Sequence, residues 1–173
     1  MRLLTLLILT LLLNSCSEMK PEDYKNTKPI IKIEEYFQGN VKAWGMLQGR
    51  SGEVKRQFVA DMQGEFDGEN LILDETFIWN DGEKQERRWT IKKIGDNRYE
   101  GTASDVVGIA KGVSYGSAFK FEYKLLVPYK NKKIKIKFDD WIFKQDEKTA
   151  INKATLSKFG FKVGELTVFF LKN

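Results

Sequence analysis

Polar and apolar residues alternate over short runs, and this pattern constrains the fold more than any other feature of the chain. Between positions 58 and 66 the even-numbered residues are apolar or glycine, whereas positions 57, 61, 63 and 65 carry charges or amides. The runs 117–127 and 133–143 alternate in the same way. Successive side chains of a β-strand point to opposite faces, so each run predicts a strand with one face on a core and one in water.

Turn signals separate these runs at strand-like intervals. Positions 50–53, 67–68, 80–82 and 95–97 each offer Gly or Asn for a positive φ. The predicted strands are 30–37, 41–48, 54–66, 71–79, 85–94, 99–103, 107–115, 117–127, 133–143, 150–156 and 165–171. Consecutive hairpins favour a meander that loses its edges by closing. We therefore predict an all-β domain over 30–173, a single antiparallel up-and-down barrel of roughly 9–11 strands with at most short helical turns.

The N-terminus has the form of an export signal. Arg2 precedes an uncharged, mostly leucine run from 3 to 13. This run is shorter than the ~18–20 apolar residues that span a bilayer, which favours a signal peptide over a membrane helix. Leu13, Ser15 and Cys16 then resemble a bacterial lipobox, although Asn14 departs from its usual form.

The lipobox resemblance implies that residues 1–15 are removed and that Cys16 carries the lipid. Several acyl chains would anchor the protein stably where one would not. Ser17, rather than Asp, follows the cysteine, which favours the outer membrane, with the domain facing the periplasm or the cell surface. Residues 16–29 then form the lipid anchor and a flexible tether. The alternative is an ordinary secreted protein with a free cysteine.

Composition excludes several classes of chemistry. The chain has a mild formal charge of +5, or +4 without residues 1–15. A periplasmic or surface protein does not meet nucleic acid, so this charge suggests anionic lipid head groups as a partner, or no partner. It contains no histidine and a single cysteine. An intramolecular disulfide is therefore impossible, and the commonest metal ligand and general base are both missing. We expect no metal and no cofactor.

Four charged residues break the alternation by sharing parity with apolar neighbours. Arg56, Glu75, Arg87 and Asp140 are predicted to point into the barrel. Buried charges must pair with each other, with water or with a ligand. They form either a structural ion-pair network or the polar end of a cavity, where an arginine would hold a carboxylate or phosphate head group. A single β-bulge would reverse these assignments.

Aromatic residues are predicted to accompany these charges inside the barrel. The predicted interior aromatics are Trp44, Trp79, Trp89, Phe119 and Tyr123. In a small barrel such side chains form either a solid core or the wall of a ligand cavity. The lysines between 130 and 137 indicate a solvated strand face or a contact with anionic lipid.

Several motifs resemble one family across nearly the whole mature chain. They read FDDWIF at 138–143, INKA at 151–154, LSKFGF at 156–161, VGELTVFF at 163–170, EEYF at 34–37, AWG at 43–45 and DVVG at 105–108. Together they resemble the bacterial lipoprotein family known as domain of unknown function 3833. The resemblance implies a Gram-negative envelope lipoprotein without assigned catalytic or binding residues. The meander is also similar in shape to a lipocalin, although Lys42 stands where the lipocalin signature has glycine.

Enzymatic activity is not expected from these residues. A serine or cysteine triad lacks its histidine, and no phosphate loop or dinucleotide motif is present. Glu75 and Asp140 could act as acid and base, but nearby arginines should keep both ionised.

Two functions stay open. The first is an outer-membrane-anchored lipoprotein that binds a lipid or fatty-acid-like ligand in a barrel cavity, with Arg56 or Arg87 on its head group. The second is a structural or adaptor lipoprotein with a solid barrel that contacts another envelope protein.

Overall fold

The alternating runs form ten antiparallel strands that close into a barrel in the computed structural model, which describes residues 19–173. The strands are β1 (Gly39–Gly49), β2 (Val54–Phe66), β3 (Asn70–Trp79), β4 (Lys84–Ile94), β5 (Arg98–Thr102), β6 (Ala110–Tyr115), β7 (Ala118–Tyr129), β8 (Lys132–Lys144), β9 (Thr149–Lys158) and β10 (Phe161–Lys172). Each pairs with its chain neighbours, and β1 also pairs with β10. The predicted up-and-down barrel is confirmed. The predicted signal peptide and Cys16 lie outside the described residues.

The predicted faces and turns agree with the structure. In β2 the even-numbered residues from 58 to 64 are buried and their odd-numbered neighbours are exposed. Gly52, Gly68, Gly82 and Gly95 adopt positive φ at the four predicted turns. We call the end with the β1–β2, β3–β4, β7–β8 and β9–β10 turns the upper end, and the opposite end the lower end.

The lower end is closed by a segment that the sequence predicts as a strand. Residues 30–37 instead contain α1 (Ile33–Tyr36), whose apolar side chains are buried in the core. Glu34 is buried with them, accepts a hydrogen bond from the Tyr99 hydroxyl at 2.9 Å and pairs with Lys93 at 2.6 Å. Burial raises the pKa of Glu34, but these partners outweigh it and hold the pKa below its ordinary value. These contacts fix α1 across the barrel mouth.

The segment before α1 lies along the outer wall of the barrel. A short 3-10 helix, Pro21–Tyr24, places the Tyr24 ring 5.9 Å from Trp141 and 5.4 Å from Phe143. Thr27 and Ser117 share a hydrogen bond of 2.8 Å. The prediction of a flexible tether is therefore wrong for residues 21–29. No helix within 19–173 has the length and hydrophobicity needed to span a membrane.

The upper wall has a gap between β4 and β7, because β5 and β6 are short. Pairing of β4 with β5 ends at Thr90, and pairing of β6 with β7 ends at Lys111. The connection 103–109 fills this gap: the Leu126 amide donates to the Asp105 carbonyl at 2.9 Å, and the Val107 amide donates to the Lys124 carbonyl at 2.8 Å. A loop, rather than a strand, thus completes the wall here.

Candidate functional site

A layer of polar side chains crosses the barrel interior. It contains Glu75 of β3, Arg87 of β4, Tyr123 of β7, Asp140 of β8 and Asn152 of β9, all bordering one cavity. Each occupies an inward position of its strand, as the alternation requires. One apolar cluster includes α1, a second lies in the upper halves of β7 to β9, and Tyr123 packs against both. The polar layer therefore lies where two apolar clusters meet.

Arg87 is the centre of the ion pairs in this layer. Its Nε donates to Asp105 Oδ2 at 3.1 Å and its Nη2 donates to the same oxygen at 2.9 Å. Nη1 lies 3.5 Å from Glu75 Oε2, across the β3–β4 pair. Because both edges of the guanidinium already face carboxylates, Arg87 has little capacity left for an anionic ligand.

Asp140 is only partly satisfied. The Tyr123 hydroxyl donates to Asp140 Oδ2 at 2.5 Å, and Asn152 borders the same cavity and acts to lower the pKa of the carboxyl group. Oδ1 is buried and has no hydrogen-bond partner. A buried carboxylate oxygen without a donor is costly, which makes Asp140 the strongest acceptor in the layer for a group from outside the chain.

Burial shifts the titration of both inner carboxyls toward neutral pH. It raises the pKa of Glu75 to about 7, because lost hydration outweighs the attraction of Arg87. It raises the pKa of Asp140 to about 6, although Tyr123 and Asn152 act to lower it. Arg87 therefore does not hold either pKa at its ordinary value, and of the two carboxyls Glu75 titrates nearer to neutral pH. Among residues 19–173 no cluster of acidic or sulfur side chains is arranged to hold a metal ion.

The cavity beside the polar layer is small and largely aromatic. Its volume is about 110 Å³, and Trp89, Phe119, Phe121 and Tyr123 form part of its wall. The rings pack on one another, with Trp89 5.2 Å from Phe121 and 5.3 Å from Tyr123. The interior is thus nearly filled but not solid.

Arg56 does not join this layer. Its guanidinium lies at the upper rim, where it pairs with Asp81 at 2.7 Å and Glu83 at 2.8 Å and covers the Trp79 ring at 4.2 Å. Trp79 packs against Phe58 rather than lining the cavity. The predicted inward direction of Arg56 is correct for the backbone, but the long side chain reaches the rim and its acidic turn.

Trp44 lies on the outer surface, so its predicted interior position is wrong. It is 40% exposed and contacts Phe169 of β10 at 6.0 Å. With Val59 and Ile78, its neighbours across β2 and β3, it borders a shallow outer groove of about 620 Å³. Trp44 shares parity with polar Lys42, a signal that was already present in the sequence.

A family model described as protein of unknown function, DUF3833, matches residues 10–172. The chain belongs to the DUF3833 family. No curated protein matches it in sequence.

Solved structures relate the DUF3833 barrel to others by fold. The S-type phycobiliprotein lyase CPES from Guillardia theta superposes with a TM-score of 0.60 at 9% identity, over 90% of this chain and 98% of the lyase. A DUF3598 protein of unknown function from Nostoc punctiforme gives 0.60 at 12% identity, over 84% of this chain and 51% of that one. At such identities the likeness is one of fold alone.

Two polar residues of this DUF3833 site, Asn152 and Asp105, are not among the residues predicted from the sequence. Asn152 has the parity of buried Ala150 and Ala154, so the alternation rule that found Asp140 would also have found it. Asp105 lies in the β5–β6 connection and has no periodic signal. Only closure of the barrel brings it to Arg87, 18 residues earlier in the chain.

Proposed function

We propose that this DUF3833 chain is a binding protein that holds a small, mainly apolar molecule inside the barrel, with a hydrogen-bond donor of that molecule on Asp140. The observation that carries the proposal is the buried, unpartnered Oδ1 of Asp140 in the wall of an otherwise aromatic cavity. Apolar pockets with a few convergent polar groups and perturbed pKa values are typical of ligand sites.

The charge balance of the polar layer favours a donor over an anion. Three carboxyls, Glu75, Asp105 and Asp140, surround the single guanidinium of Arg87. A carboxylate or phosphate head group would add a like charge to this layer in a medium of low dielectric constant. The lipid-like ligand expected from the sequence is therefore better matched by a hydroxyl or amine compound than by a free fatty acid.

Cavity size limits what enters without rearrangement. The volume of about 110 Å³ is below that of common ligand pockets, and an engineered protein cavity of roughly 150 Å³ accepts benzene. The cavity is smaller than that, so even a single-ring molecule fits only with a small displacement of the aromatic wall. A longer chain would need the connection 103–109 or an aromatic side chain to move.

Thermal unfolding with phenol, toluene and benzoate tests the proposal, because these probes share a ring and differ in the polar group. We expect phenol to raise Tm most, toluene less, and benzoate not at all. Asp140→Asn should reduce the preference for phenol over toluene, whereas Asp139→Asn, on the opposite face of β8, should keep it. No response to any probe, together with a bare mass in native mass spectrometry of protein purified from cells, would contradict the proposal.

A second candidate is the structural or adaptor lipoprotein, which contacts another envelope protein. It is favoured by the outer groove of about 620 Å³, which is larger than the interior cavity. Exposed apolar surface that is concentrated in one patch is typical of interaction sites. This candidate predicts a bare mass, no probe response, and loss of the partner contact when Trp44 and Phe169 are both replaced by Ser in a variant that still folds.

We further propose that the barrel is held at the outer membrane by lipid on Cys16. The support is the pattern of a short apolar run that ends at Leu13, Ser15 and Cys16. Cys16→Ser should abolish incorporation of labelled fatty acid into the protein in cells. Equal incorporation into the variant would remove the support for the anchor.

A further inference from the structure

Two adjacent hairpin tips at the upper end expose aromatic rings. The β9–β10 tip carries Phe159, which is 89% exposed, and Phe161, which is 71% exposed. The β7–β8 tip carries Tyr129, which is 52% exposed. β8 pairs with β9 up to Lys137 and Ser157, so the two tips belong to neighbouring hairpins at the same end, and residues 132–136 of β8 extend beyond that pairing. Rings this exposed contribute nothing to the core, and the contact of their apolar surface with water is unfavourable.

Lysines surround these rings. Positions 128–133 and 158–163 together contain five lysines, Lys130, Lys132, Lys133, Lys158 and Lys162, and no acidic residue. Lys162 pairs with Glu165 at 2.8 Å. The other four make no ion pair with a carboxylate among the described residues. The tips are therefore a concentrated positive surface on a chain whose whole formal charge is only +5.

The two tips share a local geometry. Lys158 Nζ lies 5.3 Å above the Phe159 ring, and Lys130 Nζ lies 5.7 Å above the Tyr129 ring. Phe159 and Lys130 both adopt positive φ, 52° and 53°. Positive φ is unfavourable for a bulky residue where glycine would be free of strain. Fold stability alone thus gives no reason for phenylalanine at this exposed turn position.

We propose that these two tips dock the barrel on the surface of an anionic lipid bilayer. Aromatic rings partition to the boundary between head groups and acyl chains, and lysines beside them bind lipid phosphates and contribute additively near an anionic surface. Each tip thus carries at least one aromatic ring and two lysines within a few residues of one another, at the same end of the barrel. The proposal rests neither on a ligand in the cavity nor on lipid at Cys16.

Co-sedimentation with vesicles tests this surface. The chain from Ser17 onward, which lacks both the leucine run 3–13 and Cys16, is mixed with vesicles of phosphatidylcholine alone or with ~30% phosphatidylglycerol, an anionic content in the range for which lysine attraction is expected. We expect binding to the anionic vesicles only, and weaker binding at high salt because the lysines are exposed. The double variant Phe159→Ser, Phe161→Ser should bind at least about tenfold more weakly. Replacement of Lys130, Lys132 and Lys133 by Gln should remove most of the salt dependence.

The matched control makes the same kind of substitution, an exposed apolar residue to Ser, on the outer wall of the barrel. The double variant Ile78→Ser, Ile151→Ser removes exposed apolar side chains from the outer wall and should bind as the parent does. Tm should be unchanged in the tip variants, since Phe159 and Phe161 are largely in water. Equal binding to neutral and anionic vesicles would overturn the proposal. Tip variants that bind the vesicles like the parent would also overturn the proposal. The exposed tips would then indicate a contact with a protein partner.

Discussion

Arg87 of β4 and Asp105 of the β5–β6 connection form a two-pronged ion pair across the gap in the upper barrel wall. Nη2 and Nε of Arg87 lie 2.9 and 3.1 Å from Asp105 Oδ2. This contact joins the loop that completes the wall to the polar layer inside the barrel. Protonation or ligand binding at the inner carboxyls is therefore expected to affect how firmly the connection 103–109 is held.

Asp105→Asn should loosen this connection. The guanidinium of Arg87 would lose its ionised partner while still buried, and we expect unfolding free energy to fall by about 1–3 kcal/mol. Amide exchange at Val107 and Leu126, which bond the loop to β7, should become faster in hydrogen-exchange mass spectrometry. Ser104→Ala, an exposed neighbour, is the control. Unchanged exchange at both amides would show that the ion pair does not hold the loop.

Glu75 should make the protein less stable as pH rises. Its pKa is about 7 in the fold and 4.5 ordinarily, so between these values the folded state binds more protons than the unfolded state. The loss of unfolding free energy begins above pH 4.5 and is complete above pH 7. Asp140 adds a loss in the same direction, between its ordinary pKa of 3.8 and its pKa of about 6 in the fold.

Glu75→Gln removes the larger part of this cost. In urea unfolding, we expect the unfolding free energy of the variant to be higher than that of the parent by an amount on the order of 2 kcal/mol at pH 8. Near pH 4 the two unfolding free energies should be equal. Glu65→Gln, an exposed residue of β2, should leave the pH profile unchanged. Parallel profiles for parent and Glu75→Gln would show that the buried carboxyl does not titrate in this range.

Gly64 should tolerate no side chain. A Cβ at this position would overlap the carbonyl oxygen of Phe37, which is backbone and follows α1 directly. Gly64→Ala should therefore displace α1 from the lower end and lower unfolding free energy by about 2–3 kcal/mol. The exposed neighbour Gln63→Ala should cost little. A fully stable Gly64→Ala protein would mean that α1 closes the barrel less rigidly than the packing indicates.

Tyr24 should hold the N-terminal segment on the outer wall. Tyr24→Ala removes ring contacts to Trp141 and Phe143, and we expect a loss of about 1–2 kcal/mol. Trypsin should then cut at Lys25 sooner than in the parent, because the segment is released. Glu22→Ala, on the same 3-10 helix but exposed, controls for local effects. Equal cleavage rates in all three proteins would contradict the docking.

Strands and faces follow from local sequence, because a side-chain period of two is written along the chain itself. The predicted run 54–66 matches β2 at both ends, and the inward positions of Glu75, Arg87 and Asp140 follow from the same parity. Parity did not predict the position of the Arg56 guanidinium. A long side chain at the rim can reach partners in a neighbouring turn, such as Asp81, and the strand pattern carries no information about them.

The failed strand prediction at 30–37 has a tertiary cause. The run is apolar and ambiguous in period, and its conformation is decided by Glu34 meeting Lys93 and Tyr99, which lie 59 and 65 residues away. Such contacts exist only after the barrel has closed. The same is true of Tyr24, whose aromatic partners on β8 turn a predicted tether into part of the wall.

The sequence by itself determined an all-β barrel, its two faces and the presence of charge inside, since alternation and turn residues are local properties. Only the tertiary structure decided which charges meet and how much space is left. Asp105 reaches Arg87 through a loop, and that pairing occupies the guanidinium and leaves Asp140 as the open acceptor. The aromatic rings reduce the interior to about 110 Å³. Volume and pairing depend on how distant strands pack, a property that no stretch of the sequence contains.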